Sequence, residues 1–374
     1  MVVPILESRL RGALWGLFAG DALAAPTHWY YGGSHQISSD YGPGPITTYV
    51  QPVTHMAGSI MNKSNTNGGG RGSYRKIDGV SIIGDVINHG KREYWDPTKS
   101  IHYHATLAKG ENTLEVQLVR VLMKSIVANG GKFSADHFRK AYVEFMTTPG
   151  SHNDTYASTC HRMFFANLTF QKLPPEQCPD NDQHNVDTID GLILPTITAL
   201  AYAARGEVDV GAEQASRAAA VTRSSPVLER YSSIWTDLIN ASLHSETSIE
   251  DALVKAAKGF GMRQTPRSNG RDEMSACYLQ GSIPTLLDLI AKYTSTDSDS
   301  GRTKNDAWTG LLANANVGGE NVHRGSVLGA VLGARAGVEN MPVELFDGLH
   351  DRDELAKEID AFVEAVLGSN DKEL

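Results

Sequence analysis

Residues 315–334 read ANVGGENVHRGSVLGAVLGA, a diglycine followed by polar side chains and then by a small, apolar segment. Glycines recur here at every fourth position, at 325, 329 and 333, so they line one stripe of a helix. A segment that is small or apolar nearly all round predicts a buried helix. Because each Gly costs about 1 kcal/mol of helix propensity relative to Ala, the stripe indicates that another backbone packs closely against it.

Polar side chains stand at the start of this predicted helix. Glu320, Asn321 and His323 come directly after Gly318 and Gly319. Such groups at the mouth of a buried helix can form a functional site, and they can equally be a glycine turn that caps a core helix. This stretch alone leaves both interpretations open.

The same glycine stripe occurs at the other end of the chain. Gly12, Gly16 and Gly20 lie four residues apart within residues 7–24, among large apolar side chains. Two matched stripes predict that the helices at 7–24 and 320–336 pack backbone against backbone.

Helical periodicity dominates the chain from about residue 111, and strand alternation is scarce. Neither an internal repeat nor a Pro/Gly linker divides the chain. The fold class is therefore predicted to be all-α, with a single domain over residues 1–374 and a loop-rich insertion at 32–74. The predicted helices span 7–24, 111–128, 135–147, 153–170, 186–205, 211–222, 226–244, 248–258, 275–293, 320–336 and 351–367.

Composition limits the choice of partners and compartment. The 374 residues carry a net charge of −9 without a Lys/Arg run, which argues against a nucleic-acid partner. Three widely spaced cysteines without a CxxC pair favour a reducing compartment. The N-terminal segment has the pattern of neither a signal peptide nor a membrane span. A cytoplasmic protein without a membrane partner is expected.

Two further clusters could carry chemistry. Asp21 is followed by the run His28-Trp29-Tyr30, in which a histidine could act as an acid or base and the aromatic rings could stack on a substrate ring. Glu111 and Asn112 open a predicted helix just after two histidines. The first cluster can also be a packed aromatic corner, and the second also fits a helix cap with a capping box.

These three clusters together resemble the ADP-ribosylglycohydrolase family. The resemblance rests on Arg11–Ala13 leading to Gly20–Leu23, on Gly110–Thr113, and on Gly318–Glu320 with the Gly/Ala helix that continues to Gly337. It implies an all-α bundle that cleaves the glycosidic bond between ADP-ribose and an acceptor. Active members of the family hold two Mg²⁺ ions between an Asp-Asp pair and an Asp-x-Asp-Thr run.

The chain departs from the family pattern at the implied metal site. Gly110-Glu111-Asn112-Thr113 replaces Thr-Asp-Asp-Thr, residues 318–323 read GGENVH instead of Gly-Gly-Asp-x-Asp-Thr, and His28 stands where the family has a glutamate. Similar changes occur in the branch of the family that contains the J-crystallins and selenoprotein J. Because Mg²⁺ prefers oxygen ligands, at most one Mg²⁺ ion is expected, near Glu111, Asn112 and Glu320.

Two functions follow from this interpretation. The first is a hydrolase for an N- or O-glycosidic bond of ADP-ribose, of an ADP-ribosylated protein or of a nucleoside-like small molecule. Glu111 or Glu320 would activate water, and His28 or His323 would supply the proton. The second is a ligand-binding pseudoenzyme or a crystallin-like structural protein. The residues expected to bind the substrate are Asp21, Trp29, Tyr30, Gly318, Gly319 and Asn321.

Overall fold

The computed structural model describes residues 5–69, 79–244, 246, 248–295 and 307–368. Within these residues the fold is all-α, with isolated bridges in place of β-strands, and no helix is long and apolar enough to cross a bilayer. The α-helices are α1 (Leu6–Ala24), α2 (Gly33–Tyr41), α3 (Leu114–Ala128), α4 (Ala135–Thr147), α5 (Thr159–Phe170), α6 (Ile193–Ala203), α7 (Val208–Ala220), α8 (Pro226–Leu243), α9 (Ile249–Gly259), α10 (Leu279–Thr294), α11 (Ala307–Val317), α12 (Val322–Ala336), α13 (Val343–Asp347) and α14 (Arg352–Leu367).

The all-α prediction is confirmed, and every segment predicted as a helix contains one. Three helices were missed: α2, α11 and α13. Helix α2 lies inside the segment predicted to be loop-rich, and Ile37 is its single buried residue, so its sequence lacks an apolar period. Residues 70–74 of that segment lie outside the described residues.

The predicted pairing of the glycine stripes is confirmed. Helices α1 and α12 run antiparallel, with Gly16 against Gly329 and Gly20 against Gly325. A Cβ atom on Gly329 would overlap the backbone oxygen of Gly16. We call this contact the glycine seam. Because the helices are antiparallel, the seam brings the C-terminal end of α1 beside the N-terminal end of α12.

The other helices surround this central pair. Helices α6, α7 and α8 pack on one another, α3 packs against α4, α6 and α14, and α10 and α11 pack on α12. One apolar core runs from α1 to α14 and includes Phe18, Trp235 and Phe362. The core therefore encloses both ends of the seam, including the end that carries the polar residues.

Candidate functional site

The loop after α1 is joined to the diglycine by two backbone hydrogen bonds. Trp29 N donates to the carbonyl of Gly319 over 2.7 Å, and Gly319 N donates to the carbonyl of Tyr30 over 3.2 Å. This pairing holds Trp29 at a φ of 59°, which is unusual for a residue other than glycine. It also fixes His28 beside Glu320.

Both residues of the diglycine are required by the backbone. Gly318 and Gly319 have φ values of 70° and 67°, in the left-handed region that favours glycine. A Cβ on Gly318 would overlap the carbonyl of Tyr30, and one on Gly319 would overlap Met274. The two glycines thus shape the turn that delivers Glu320 to the interior.

His28, Glu320 and His323 meet at the end of the seam. Glu320 Oε2 lies 3.2 Å from His28 Nε2, and Glu320 Oε1 lies 2.7 Å from His323 Nδ1. The three side chains are between 0% and 3% exposed. We call these three residues the triad.

A third histidine and an aspartate extend the triad. His28 Nδ1 lies 2.7 Å from His104 Nε2, and His104 Nδ1 lies 2.8 Å from Asp154 Oδ1. The other oxygen of Asp154 accepts a hydrogen bond from the backbone N–H of Leu114, at the start of α3. The sequence pointed to His104 only as one of the two histidines before Glu111, and Asp154 was not assigned to a site. The one sequence feature that could have indicated this extension is the His-x-His pattern at residues 102–104.

The buried charges divide unequally within the triad. Burial would raise the pKa of Glu320, but His323 and His28 hold that pKa well below its usual range. Burial would lower the pKa of His323, but the Glu320 carboxylate raises it to about 10. Burial lowers the pKa of His28 to about 4, despite the opposing effect of Glu320. At neutral pH the site therefore pairs a carboxylate with one charged and one neutral imidazole.

A second buried histidine–carboxylate cluster lies between α3, α4 and α5. His161 Nε2 is 3.0 Å from Glu115 Oε1, and His161 Nδ1 is 2.7 Å from the Tyr142 hydroxyl. Both ring nitrogens of this histidine therefore have partners. Nearby, Asp190 pairs with Arg223 over 3.1 Å. Sequence reasoning did not assign this cluster, because its members lie on separate helices.

Asp21 is buried and engaged within the fold. Its carboxylate accepts hydrogen bonds from the Asn112 side chain and from the backbone and hydroxyl of Thr113. Burial raises the pKa of Asp21, although these hydrogen bonds oppose the shift. Asn112 also donates to the carbonyl of Phe18, so its side chain ties α3 to α1 instead of capping α3. These contacts favour a stabilising role for Asp21 over the substrate-binding role expected from the sequence.

Glu111 lies away from the triad's contacts. Its carboxylate accepts from the backbone of Ala108 and from Asn153, and it lines a surface cavity of about 410 Å³ that also contains Lys91 and Arg120. The ligand set expected from the sequence, Glu111, Asn112 and Glu320, is therefore not brought together. The reason is that Gly110, at a φ of 74°, packs against Gly348, which fixes this turn against the segment before α14.

The expected substrate-binding residues divide into two groups. Trp29 is partly exposed and stacks on His28 with ring centroids 3.9 Å apart, so it lies at the site. Tyr30 is fully buried, and its hydroxyl donates to Asp40. The Asn321 side chain donates to Thr27 and to the carbonyl of Ala315, which ties the two site loops together. Tyr30 and Asn321 therefore support the site from behind.

The side chains at the triad do not fit a pair of Mg²⁺ ions. Two of its three donors are imidazoles, whereas Mg²⁺ takes oxygen ligands in near-octahedral geometry. In the described part of the chain, the group of His, Cys, Asp and Glu side chains spaced to hold an ion is His28, Glu320 and His323, with ligand atoms within 4.8 Å of one another.

The fold and the site define a helical protein built around a glycine-paired helix core with a buried polar cluster at one end. The sequence model of the ADP-ribosylglycohydrolase family matches residues 3–372, so the chain belongs to this family. A solved structure titled "ADP-ribosylglycohydrolase-related protein complex" shares the fold, with a TM-score of 0.55 and 18% identity over 96% of this chain and 99% of that one. No curated protein sequence matches this chain significantly.

Proposed function

We propose that this protein hydrolyses an N- or O-glycosidic bond of ADP-ribose or of a related nucleoside-like compound, and that the triad is the reacting centre. Family membership supports the class of substrate. The observation that carries the proposal is the buried Glu320 carboxylate held between His28 and His323. Glycoside hydrolysis uses an ionised carboxylate as the base that activates water or as the nucleophile.

Each member of the triad has a role in this proposal. Cleavage of a glycosidic bond passes through an oxocarbenium-like state, whose positive charge a carboxylate offsets. Glu320 is placed there, where it can also accept the proton of the attacking water. His323 and His28 hold Glu320 ionised and oriented, and an imidazole can return a proton to the leaving group.

The aromatic residues next to the triad suit a ring-containing substrate. Trp29 is partly exposed above His28, and the neighbouring Tyr31 is 54% exposed. Stacking on an adenine or nicotinamide ring is a common use of such side chains. We therefore assign Trp29 and Tyr31 to the substrate side, with the substrate a free small molecule or an ADP-ribosylated protein.

The departures from the family pattern support a position near the J-crystallin and selenoprotein J branch. Glu111 and Asn112 are engaged away from Glu320, and Val322 offers no ligand atom. We propose that activity does not depend on a pair of Mg²⁺ ions. The cytoplasmic location expected from the cysteines also remains a proposal.

The direct experiment measures release of ADP-ribose from arginine- and serine-linked ADP-ribosyl peptides and from O-acetyl-ADP-ribose, by chromatography and mass spectrometry. Glu320→Gln should lower kcat/KM by about 100-fold or more, because it removes the acid–base group. Glu358→Gln is the matched control, since Glu358 is also buried but pairs with Arg120 on the far side of α3. Equal losses in both variants would contradict the assignment.

Glu111→Gln decides between the two carboxylates that the sequence proposed. Glu111 lines a surface cavity that no triad residue lines, so this variant should hydrolyse the same substrates at the wild-type rate. A loss as large as that of Glu320→Gln would restore the sequence-based expectation.

A non-catalytic role is the second candidate, and one observation favours it. The triad is at most 3% exposed, and each residue contacts another within the fold, as in a structural cluster. A pseudoenzyme would bind ADP-ribose, measured by isothermal titration, without turnover of any of the compounds above. A crystallin-like structural protein would neither bind nor hydrolyse them.

A further inference from the structure

Arg324 carries a guanidinium that is fully buried near the start of α12. The residue is 0% exposed and is one of the largest fully buried side chains among the described residues. Its Nε donates to the Asn314 side chain over 2.8 Å, and its Nη1 donates to the Ser275 hydroxyl over 2.7 Å. Its Nη2, which carries two further N–H groups, has no hydrogen-bond partner among the described residues. The guanidinium therefore has an unused donor edge in the interior.

The carboxylates near Arg324 are engaged by other groups. Glu320 and Asp272 raise the pKa of Arg324 through space, but burial outweighs them and lowers that pKa to about 10. Neither carboxylate forms an ion pair with Arg324 in the described part of the chain: Glu320 is held by two histidines, and Asp272 pairs with Lys292 over 3.0 Å. Because a buried charge is costly unless it is paired, this position is suited to an anion from outside the protein.

Arg324 also lies beside the triad. It directly follows His323 on α12. The backbone N–H of Glu320 donates to the carbonyl of Ser275 over 2.9 Å, so the segment between α9 and α10 touches both the triad and the guanidinium. Tyr31, which is 54% exposed, is close enough to Arg324 for each to act on the pKa of the other. A ligand that reaches Glu320 between Tyr31 and this segment therefore meets Arg324.

We propose that Arg324 binds a phosphate group of the substrate and so selects phosphorylated compounds over uncharged nucleosides. This inference rests on the proposed function and narrows its substrate class. The planar fork of a guanidinium matches two oxygens of a phosphate, and such charge-assisted hydrogen bonds are about twice as strong as neutral ones. Asn314 and Ser275 hold the guanidinium in place before the ligand arrives, which lowers the cost of binding.

A structural ion pair is the rival explanation for Arg324. Asp272 Oδ1 is also buried without a hydrogen-bond partner among the described residues, and a small rotation could bring the two side chains together. The two explanations differ in what a substitution does. A structural pair affects stability alone, whereas a phosphate contact affects affinity for phosphorylated ligands.

The test titrates the full-length protein in phosphate-free buffer with ADP-ribose, with adenosine and with inorganic phosphate by isothermal calorimetry. The wild type should bind ADP-ribose at least about 10-fold tighter than adenosine. Arg324→Gln should weaken ADP-ribose binding by about 10–100-fold and leave adenosine binding unchanged, because only ADP-ribose carries phosphate. Arg324→Lys should restore part of the affinity, since an ammonium keeps the charge but loses the fork.

Arg9→Gln is the matched control. Arg9 is also buried, at 5% exposed, and its Nη1 donates to the carbonyl of Leu243 at the end of α8. It lies near the N-terminal end of α1, at the end of the glycine seam away from the triad. Its substitution should leave ADP-ribose affinity at the wild-type value, and equal losses in both arginine variants would overturn the proposal.

The wild-type titrations keep the inference testable if Arg324→Gln fails to fold. Equal affinities for ADP-ribose and adenosine would overturn it. Inorganic phosphate that binds as tightly as ADP-ribose would assign Arg324 to a free anion and overturn it as well. A folded Arg324→Gln with a lower melting temperature and unchanged ADP-ribose affinity would favour the ion pair with Asp272 instead.

This inference and the proposed function can fail separately. Binding of ADP-ribose through Arg324 without hydrolysis of any ADP-ribosyl compound would leave the inference standing and contradict the proposed function. In an active protein, Arg324→Gln should raise KM and change kcat little, because the phosphate is remote from the bond that breaks. Hydrolysis with an unchanged KM in this variant would contradict the inference alone.

Discussion

The two buried histidine–carboxylate clusters are built from the same residue types but differ in how completely they are satisfied. In the cluster of Glu115 and His161, both imidazole nitrogens have partners, and a tyrosine hydroxyl closes one side. In the triad, His323 Nε2 has no hydrogen-bond partner among the described residues. Buried polar groups are normally paired, so an unpaired one needs an explanation.

The difference supports the proposal that the second cluster serves a function, whereas the first stabilises the fold. A fully paired cluster loses stability when one partner is removed, because the other is left buried and uncompensated. A functional cluster holds its groups ready for a ligand, and removing one can cost little or even stabilise the protein.

The largest expected effect is a contrast in stability between two substitutions. Glu115→Gln should lower the free energy of unfolding by about 3–5 kcal/mol, because it breaks a buried pair. Glu320→Gln also breaks a buried pair, with His323, but should cost less, because the triad already leaves His323 Nε2 without a partner among the described residues. Urea denaturation at pH 7 measures both, and similar losses would show that the clusters do not differ in kind.

The glycine seam positions the triad, so overfilling it should disturb the triad more than the Glu115 cluster. Gly329→Ala should destabilise the protein by about 3 kcal/mol, the upper end for overpacking, because the added methyl meets backbone that cannot move aside. Gly281→Ala is the control: Gly281 lies within α10 with open space around its Cβ, so the change should stabilise by up to about 1 kcal/mol. If both variants melted alike, the seam would not be tightly packed.

The pH dependence of stability should report the Glu115 cluster. The pKa of Glu115 is lowered, since His161 outweighs burial, so its contribution is present above the unfolded value near 4.5 and is lost on acidification. The pKa of His161 is raised well above 6.5, because Cys160 and Glu115 outweigh burial, so its contribution is complete below 6.5 and is lost as the pH rises. Both contributions are complete only between about pH 4.5 and 6.5.

This window can be measured by urea denaturation of the wild type and Glu115→Gln from pH 4.5 to 8. The stability difference between them should be largest near pH 5–6 and should fall above pH 6.5, by at most about 1.4 kcal/mol per pH unit. A difference that grows steadily with pH would show that His161 is neutral in the folded protein.

The smallest expected effect concerns Tyr30, which the sequence placed among substrate-binding residues. Tyr30→Phe removes the hydrogen bond to Asp40 and should cost about 1 kcal/mol of stability. Because the Tyr30 ring is fully buried behind the site, KM for an ADP-ribosyl substrate should not change. A raised KM with unchanged stability would show instead that Tyr30 contacts the substrate.

The sequence by itself determined the all-α class and the pairing of the first and twelfth helices. Both follow from local, periodic patterns. Apolar residues recur at helical spacing, and glycines at every fourth position, which are costly in a helix, indicate that another backbone packs closely against them. It also indicated His28, Glu320 and His323 through the family resemblance. Helix α2 was not predicted because a polar surface helix has little apolar periodicity in its sequence.

Only the tertiary structure decided which carboxylates and histidines share the site. His104 joins the triad although it lies 76 residues from His28 in sequence, and Asp154 lies a further 50 residues from His104. Glu111 and Asn112 both come just before α3, yet neither contacts the triad. The left-handed backbone at Gly110 directs Glu111 to the backbone of Ala108, and Asn112 is hydrogen-bonded to Asp21. Residue type and spacing record which groups are present, whereas long-range packing determines which of them meet.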